Sequence, residues 1–140
     1  MNALALLVAA ALAAAAAASP ALGADSVART YNAPAERVWT ATEAVLRHLG
    51  WDIDEADRSI GFITTESRMM EGEQYGVYEK GIRHRLHLQI KPAGQGRSTV
   101  TIERAVFKRE RILFVDKEEP MTSTDRSVER RLLDAIAKAL

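Results

Sequence analysis

The chain has 140 residues, with 19 basic side chains against 19 acidic ones and no cysteine. One domain is the default at that length, and the balanced charge argues against nucleic-acid binding, which needs a concentrated basic surface. Without cysteine there is no disulfide framework, thiol nucleophile, thiolate metal site or acceptor for a lipid anchor.

From Ala3 to Ala18 no residue is charged, and nearly every position is Ala, Leu or Val. Ser19-Pro20 breaks the run, and Ala21-Leu22-Gly23 follows with small residues at cleavage-site spacing. This pattern predicts a secretory signal peptide over residues 1–23, cleaved after Gly23 or Ala24, although its leading residues lack Lys and Arg. A retained transmembrane anchor is the competing reading. An anchor wants about 20 strongly apolar residues, whereas this run is mostly Ala with Pro20 near its end. Residues 24–140 then form one mature domain, exported to the periplasm or secreted. A domain of that size buries roughly two thirds of its unfolded surface and can fold without disulfides.

Ser26 to Tyr31 alternates and predicts a first strand. Asn32-Ala33-Pro34 ends it and opens a helix, since Pro in the first turn forfeits no intrahelical hydrogen bond. Val38, Ala41, Val45 and Leu49, with Trp39, Thr42 and Leu46 beside them, form its apolar stripe. Gly50 stands where a terminating glycine belongs. Trp51 to Ala56 predicts a strand, Asp57-Arg58-Ser59 a turn, and Ile60 to Glu66 the next strand. Gly61 there points to a bulge or a close backbone approach; which of Phe62 and Ile63 faces inward stays open. Ser67 to Glu73 reads as a loop.

The strongest signal runs from Ile82 to Phe107. Ile82, His84, Leu86, Leu88 and Ile90 alternate with Arg83, Arg85, His87, Gln89 and Lys91. Pro92 to Ser98 reverses the chain, and Val100, Ile102 and Val106 then alternate with Thr99, Thr101 and Glu103. Such alternation marks a sheet with one face buried and one in water. Ile112-Leu113-Phe114-Val115 predicts a last strand, Asp116 to Met121 a connection closed by Pro120, and a helix from about Ser123 or Thr124 to the terminus. Val128, Leu132, Ala135, Ile136 and Ala139 form its apolar face, with Arg126, Arg130, Asp134 and Lys138 opposite. The sum is an α+β domain, an antiparallel sheet of five to six strands with two helices packed on one face, in the order β-α-β-β-β-β-β-α.

Catalytic signatures are missing. His84 and His87 are three apart in a strand, point to opposite faces and cannot share a metal. No nucleophile elbow or phosphate loop occurs. Asp52, Asp54, Glu55 and Asp57 lack calcium-loop spacing and read as a solvated strand edge. The sequence therefore implies no enzyme, no cofactor and no metal. A partner surface is sought among the cations: Arg83, Arg85, His87 and Lys91 on one sheet face with Arg104 nearby, and Lys108, Arg109 and Arg111 as a second cluster. That surface would suit an acidic partner or anionic lipid headgroups, against the plainer reading of a wet face interleaved with Glu79, Glu103 and Glu110. Tyr75 and Tyr78 flank Gly76-Val77 and either line a pocket mouth or simply pack.

Two stretches carry a resemblance. Tyr31-Asn32-Ala33-Pro34-Ala35-Glu36-Arg37-Val38-Trp39 resembles the lead-in to the first helix of helix-grip domains. Leu49-Gly50-Trp51, continuing through Asp57-Arg58-Ser59-Ile60-Gly61-Phe62-Ile63-Thr64-Thr65, is similar to the strand pair of BamC (NlpB) lipoprotein domains. These belong to the machinery that assembles β-barrels in the bacterial outer membrane. The resemblance covers roughly residues 26–140 and implies a helix-grip α+β sandwich, an envelope location, an envelope protein partner and no catalytic residues. The chain departs from that pattern in having no lipobox cysteine, one domain instead of two, and no long unstructured segment before the first strand. The expectation is a non-catalytic exported envelope protein acting by protein–protein contact, in outer-membrane protein assembly or envelope maintenance. The alternative is a carrier of a small apolar ligand or lipid in a helix-grip pocket, because the Glu36-Arg37-Val38-Trp39 segment resembles domains of the START type too.

Overall fold

Period-two stretches build one sheet and three-to-four-residue spacing builds two helices in this computed structural model, which describes residues 25–140. The expected signal peptide and its cleavage site lie outside the described residues. In chain order the elements are β1 (Val27–Tyr31), α1 (Ala35–His48), β2 (Ile53–Asp57), β3 (Phe62–Thr65), β4 (Arg68–Tyr75), β5 (Tyr78–Gly94), β6 (Arg97–Ile112), β7 (Val115–Met121) and α2 (Ser127–Ala139). All strand pairs are antiparallel in a 7-stranded sheet of order β1-β6-β5-β3-β2, with β4 pairing on β5 and β7 on β6. This is the expected α+β class.

β5 and β6, of 17 and 16 residues, form the frame. At about 3.4 Å per residue the hairpin is over 50 Å long. Gln95 and Gly96 close it with positive φ of 55° and 71°, the backbone of a two-residue turn that matches strand twist. The half near this turn pairs with β1 and β3 and carries the helices. Leu86, Leu88, Ile90, Val100 and Ile102 point inward there, against Val38 and Leu46 of α1 and Leu132, Leu133 and Ile136 of α2. The far half pairs with β4 and β7 and forms a four-stranded blade. Every residue of β7 is exposed, as is all of β4 except Met69.

Local signals account for most ends. Gly50 takes φ 83° after α1, and the Arg68 guanidinium donates to the Leu49 carbonyl at 3.0 Å. Gly61 is a close approach: a Cβ there would fall on the Ile90 carbonyl oxygen, and Ile90 N–H donates to the Gly61 carbonyl at 2.7 Å. Asp57 accepts from the Ser59 amide at 2.9 Å and makes the expected turn. Ile63 is fully buried, while Phe62 lies on the outer face and stacks on His87 at 6.3 Å.

Five expectations are corrected. The segment read as a loop from Ser67 is the edge strand β4, whose backbone pairs with β5 while its side chains remain in water. The apolar tetrad Ile112–Val115 is a hairpin turn rather than a strand, and the supposed connection after it is the strand β7. Pro120 is tolerated because β7 is an edge. The sheet accordingly has more strands than the five to six expected. The last helix begins at Ser127, where the Asp125 carboxylate accepts from the Ser127 amide and hydroxyl and is held below its usual range by them. Its buried face includes Leu133 and Glu129, beyond the residues anticipated.

Glu129 is fully buried, and Arg104 Nε donates to it at 2.8 Å, with Arg104 Nη2 donating to the Asp125 carbonyl at 2.8 Å. This pair bolts the start of α2 to β6. Removing one partner strands a charge in the core, so Glu129→Ala and Arg104→Met should each cost about 3–5 kcal/mol, read as a lowered urea midpoint. The double variant Arg104→Met/Glu129→Leu should recover most of that loss.

Candidate functional site

The register Tyr78↔Ile112 brings the β4–β5 and β6–β7 turns to the same end of the blade. The two turns present apolar side chains to water: Phe114 is 97% exposed, Val115 69%, Tyr75 66%, Leu113 60%, Val77 55% and Ile112 53%. A cluster of exposed apolar side chains of this kind marks an interaction site. Leu113 also sits at φ 57°, a region that a γ-branched residue occupies at a cost of roughly 1–2 kcal/mol. Gly, Asn or Asp is the usual occupant of such a hairpin position. Both the exposure and the strain work against stability, which points to a role outside the folded chain.

The blade holds this tip out on charge pairs. Arg111 Nε donates to Asp116 Oδ1 at 2.5 Å, and Arg109 lies 3.4 Å from Asp116 and 3.8 Å from Glu118. The Arg111 partner depresses the Asp116 carboxyl. On the other face the registers Glu73↔Lys80, Lys80↔Glu110 and Glu110↔Lys117 alternate sign across all the blade strands. Opposite charges directly across an antiparallel pair contribute about 0.2–1 kcal/mol each.

These partners also decide the fate of the expected cationic surface. Arg83, Arg85, His87 and Lys91 do share the outer sheet face, but Arg83 is bound to Glu79 at 2.5 Å and Arg85 lies over the Phe107 ring at 5.7 Å. Arg104 is on the opposite, helix-bearing face and is buried against Glu129. Lys108 lies on that face too, because period-two alternation separates it from Arg109 and Arg111. Arg83, Arg85 and Arg109 line a shallow outer depression, and Asp54 and Glu66 line it with them. The cations are therefore split between two faces and mostly matched by acids. What the sequence reading missed is the apolar tip. Its signal was the mirror of charge about Ile112–Val115, in which Lys108, Arg109, Glu110 and Arg111 oppose Glu119, Glu118, Lys117 and Asp116. Of Tyr75 and Tyr78, which could have lined a pocket mouth, Tyr75 belongs to the exposed tip with Val77, while Tyr78 is half-buried.

Among the described residues no group of three His, Asp or Glu side chains could hold a metal, and no helix is long and apolar enough to cross a membrane. His84 and His87 lie on opposite faces as expected. Compared with known proteins, the chain matches no family model and no curated protein.

His84 is 7% exposed and packs on Trp51 at 4.6 Å between ring centroids. Burial, with the Arg104, Arg68 and Arg83 guanidiniums around it, pushes its imidazole down to about 4. The unfolded chain takes up that proton near 6.5 and the folded one only near 4, so this group's stabilisation is present above pH 6.5 and lost as pH falls towards 4. The urea midpoint should drop between pH 7.5 and 5, and His84→Leu should reduce that drop, with His87, also held down by burial, contributing to the remainder.

Proposed function

We propose that this chain is a non-catalytic, exported protein of the bacterial cell envelope that acts by protein–protein contact, in outer-membrane protein assembly or envelope maintenance. The observation that carries the reading is the blade tip, where Phe114 stands 97% exposed beside a strained Leu113. A protruding pair of turns with bulky apolar ends fits a concave apolar groove on a partner, as buried aromatic anchors do in protein interfaces. Two further features support the setting. The uncharged Ala/Leu/Val stretch from Ala3 to Ala18 has the composition of an export signal. The antiparallel sheet with two helices on one face is the architecture that the BamC resemblance leads one to expect.

The test separates contact from folding. Leu113→Gly/Phe114→Ser puts glycine at the one central turn position with positive φ and should leave stability unchanged or raise it by up to about 1 kcal/mol. Loss of the Phe114 anchor should weaken partner binding by roughly 10- to 100-fold, the equivalent of burying one large apolar side chain. A photo-crosslinking residue at position 114, expressed in the native envelope, should yield discrete protein adducts that the same residue at position 91 does not. A tip variant that keeps full function in cells, or adducts that do not depend on position, would sink the reading.

A further inference from the structure

A cleft of about 370 Å³ opens where the end of α1, the start of α2 and β4 meet. Its size falls in the range of small-molecule sites. Trp51, His84 and Leu132 line it together with Met69 and Met70, and Arg68 and Arg131 complete the lining. No acidic residue lines it. The nearest buried carboxylate, Glu129, is committed to Arg104 at 2.8 Å. The Arg68 guanidinium lies 4.9 Å from the Trp51 ring centroid, held by that stacking and by the Leu49 carbonyl. Two contacts leave most of its five donors unused. Arg131, exposed on α2, makes no ion pair among the described residues. Within the wall, His84 Nδ1 is buried with no hydrogen-bond partner. A buried polar atom left in that state calls for an explanation.

We propose that this cleft binds a small organic anion with an apolar body, its acid group held between Arg68 and Arg131 and its body laid on Trp51 and the methionines. The sign of charge decides against a cation, since uncompensated guanidiniums repel one. Guanidinium forks match the geometry of carboxylate and phosphate oxygens, so either acid group fits. The apolar body follows from the lining. A register shift between Met69 and Glu71 gives β4 an additional residue, and Met70, 48% exposed, lies over the cleft. Flexible thioether side chains adapt to apolar ligands of varied shape. The site uses no residue of the blade tip, so it stands or falls independently of the contact function.

The full chain would be titrated with decanoate, decyl phosphate and decanol, all below micelle formation, and followed by NMR. Decanoate should shift the Trp51 indole and His84 ring signals saturably, with Trp39 and Phe114 unmoved. A bound anion beside the ring favours its charged form, so the His84 titration midpoint should rise. Decyl phosphate should bind within a few-fold of decanoate if any acid group suffices, and much tighter or weaker binding would identify which source the cleft selects. Decanol should bind at least tenfold more weakly. Arg131→Gln touches no packed contact and should weaken decanoate five- to tenfold without affecting decanol. Equal binding of decanol, shifts confined to the tip, or no saturation at millimolar ligand would each overturn the proposal.

Discussion

Everything in this molecule hangs on the pairing of β5 with β6, which runs from Tyr78↔Ile112 to Gly94↔Arg97 with a single irregularity near the Gln95-Gly96 turn. Because side chains alternate with a period of two, a slip of one residue would turn Leu86, Leu88 and Ile90 into water and Arg85 and His87 into the core. The pairing is far longer than the helices need. α1 has 14 residues and α2 has 13, or about 20 Å each at 1.5 Å rise, against strands of 17 and 16 residues. One end of the hairpin is therefore covered by helices and the other cannot be.

That mismatch divides the molecule by kind of stabilisation. The covered half has a conventional apolar core, with side chains such as Val38, Ile63 and Ile136 withdrawn from water. The uncovered blade rests on backbone pairing and charge ladders, and its strands are continuous with those of the core. Hence the blade need not bury its own apolar residues to stay folded. The tip residues Leu113 and Phe114 can remain in water because the core half supplies the stability they do not.

The boundary between the halves is the most constrained region. Arg104 there joins Glu129, the Asp125 carbonyl and the Met70 sulfur, at 2.8, 2.8 and 3.7 Å. One guanidinium thus sets where α2 begins and touches Met70, a residue of the cleft lining. A buried ion pair is weak evidence for stability in itself. Its consequence here is positional, since it fixes the approach of α2 to the sheet. The tip and the cleft lie on either side of this junction, one convex and apolar, the other concave and cationic.

By itself the sequence determined the central hairpin, both helices, the Asp57–Ser59 turn and the tight approach at Gly61, because each is written in local periodicity or in one residue's backbone freedom. Only the tertiary structure decided the edge strands β4 and β7, since an edge strand needs a neighbour's backbone and no apolar pattern of its own. The same holds for Phe62 against Ile63. The apolar run Ile112–Val115 looked like a buried strand because hydrophobicity was the available signal, whereas its charged flanks pair across it and force it into a turn. Arg104 resembled any other surface cation, for its partner Glu129 lies 25 residues away and meets it only when α2 docks on the sheet. Local chemistry travels with the covalent chain, but whether a charge is matched or an apolar side chain is covered depends on residues that only folding brings together.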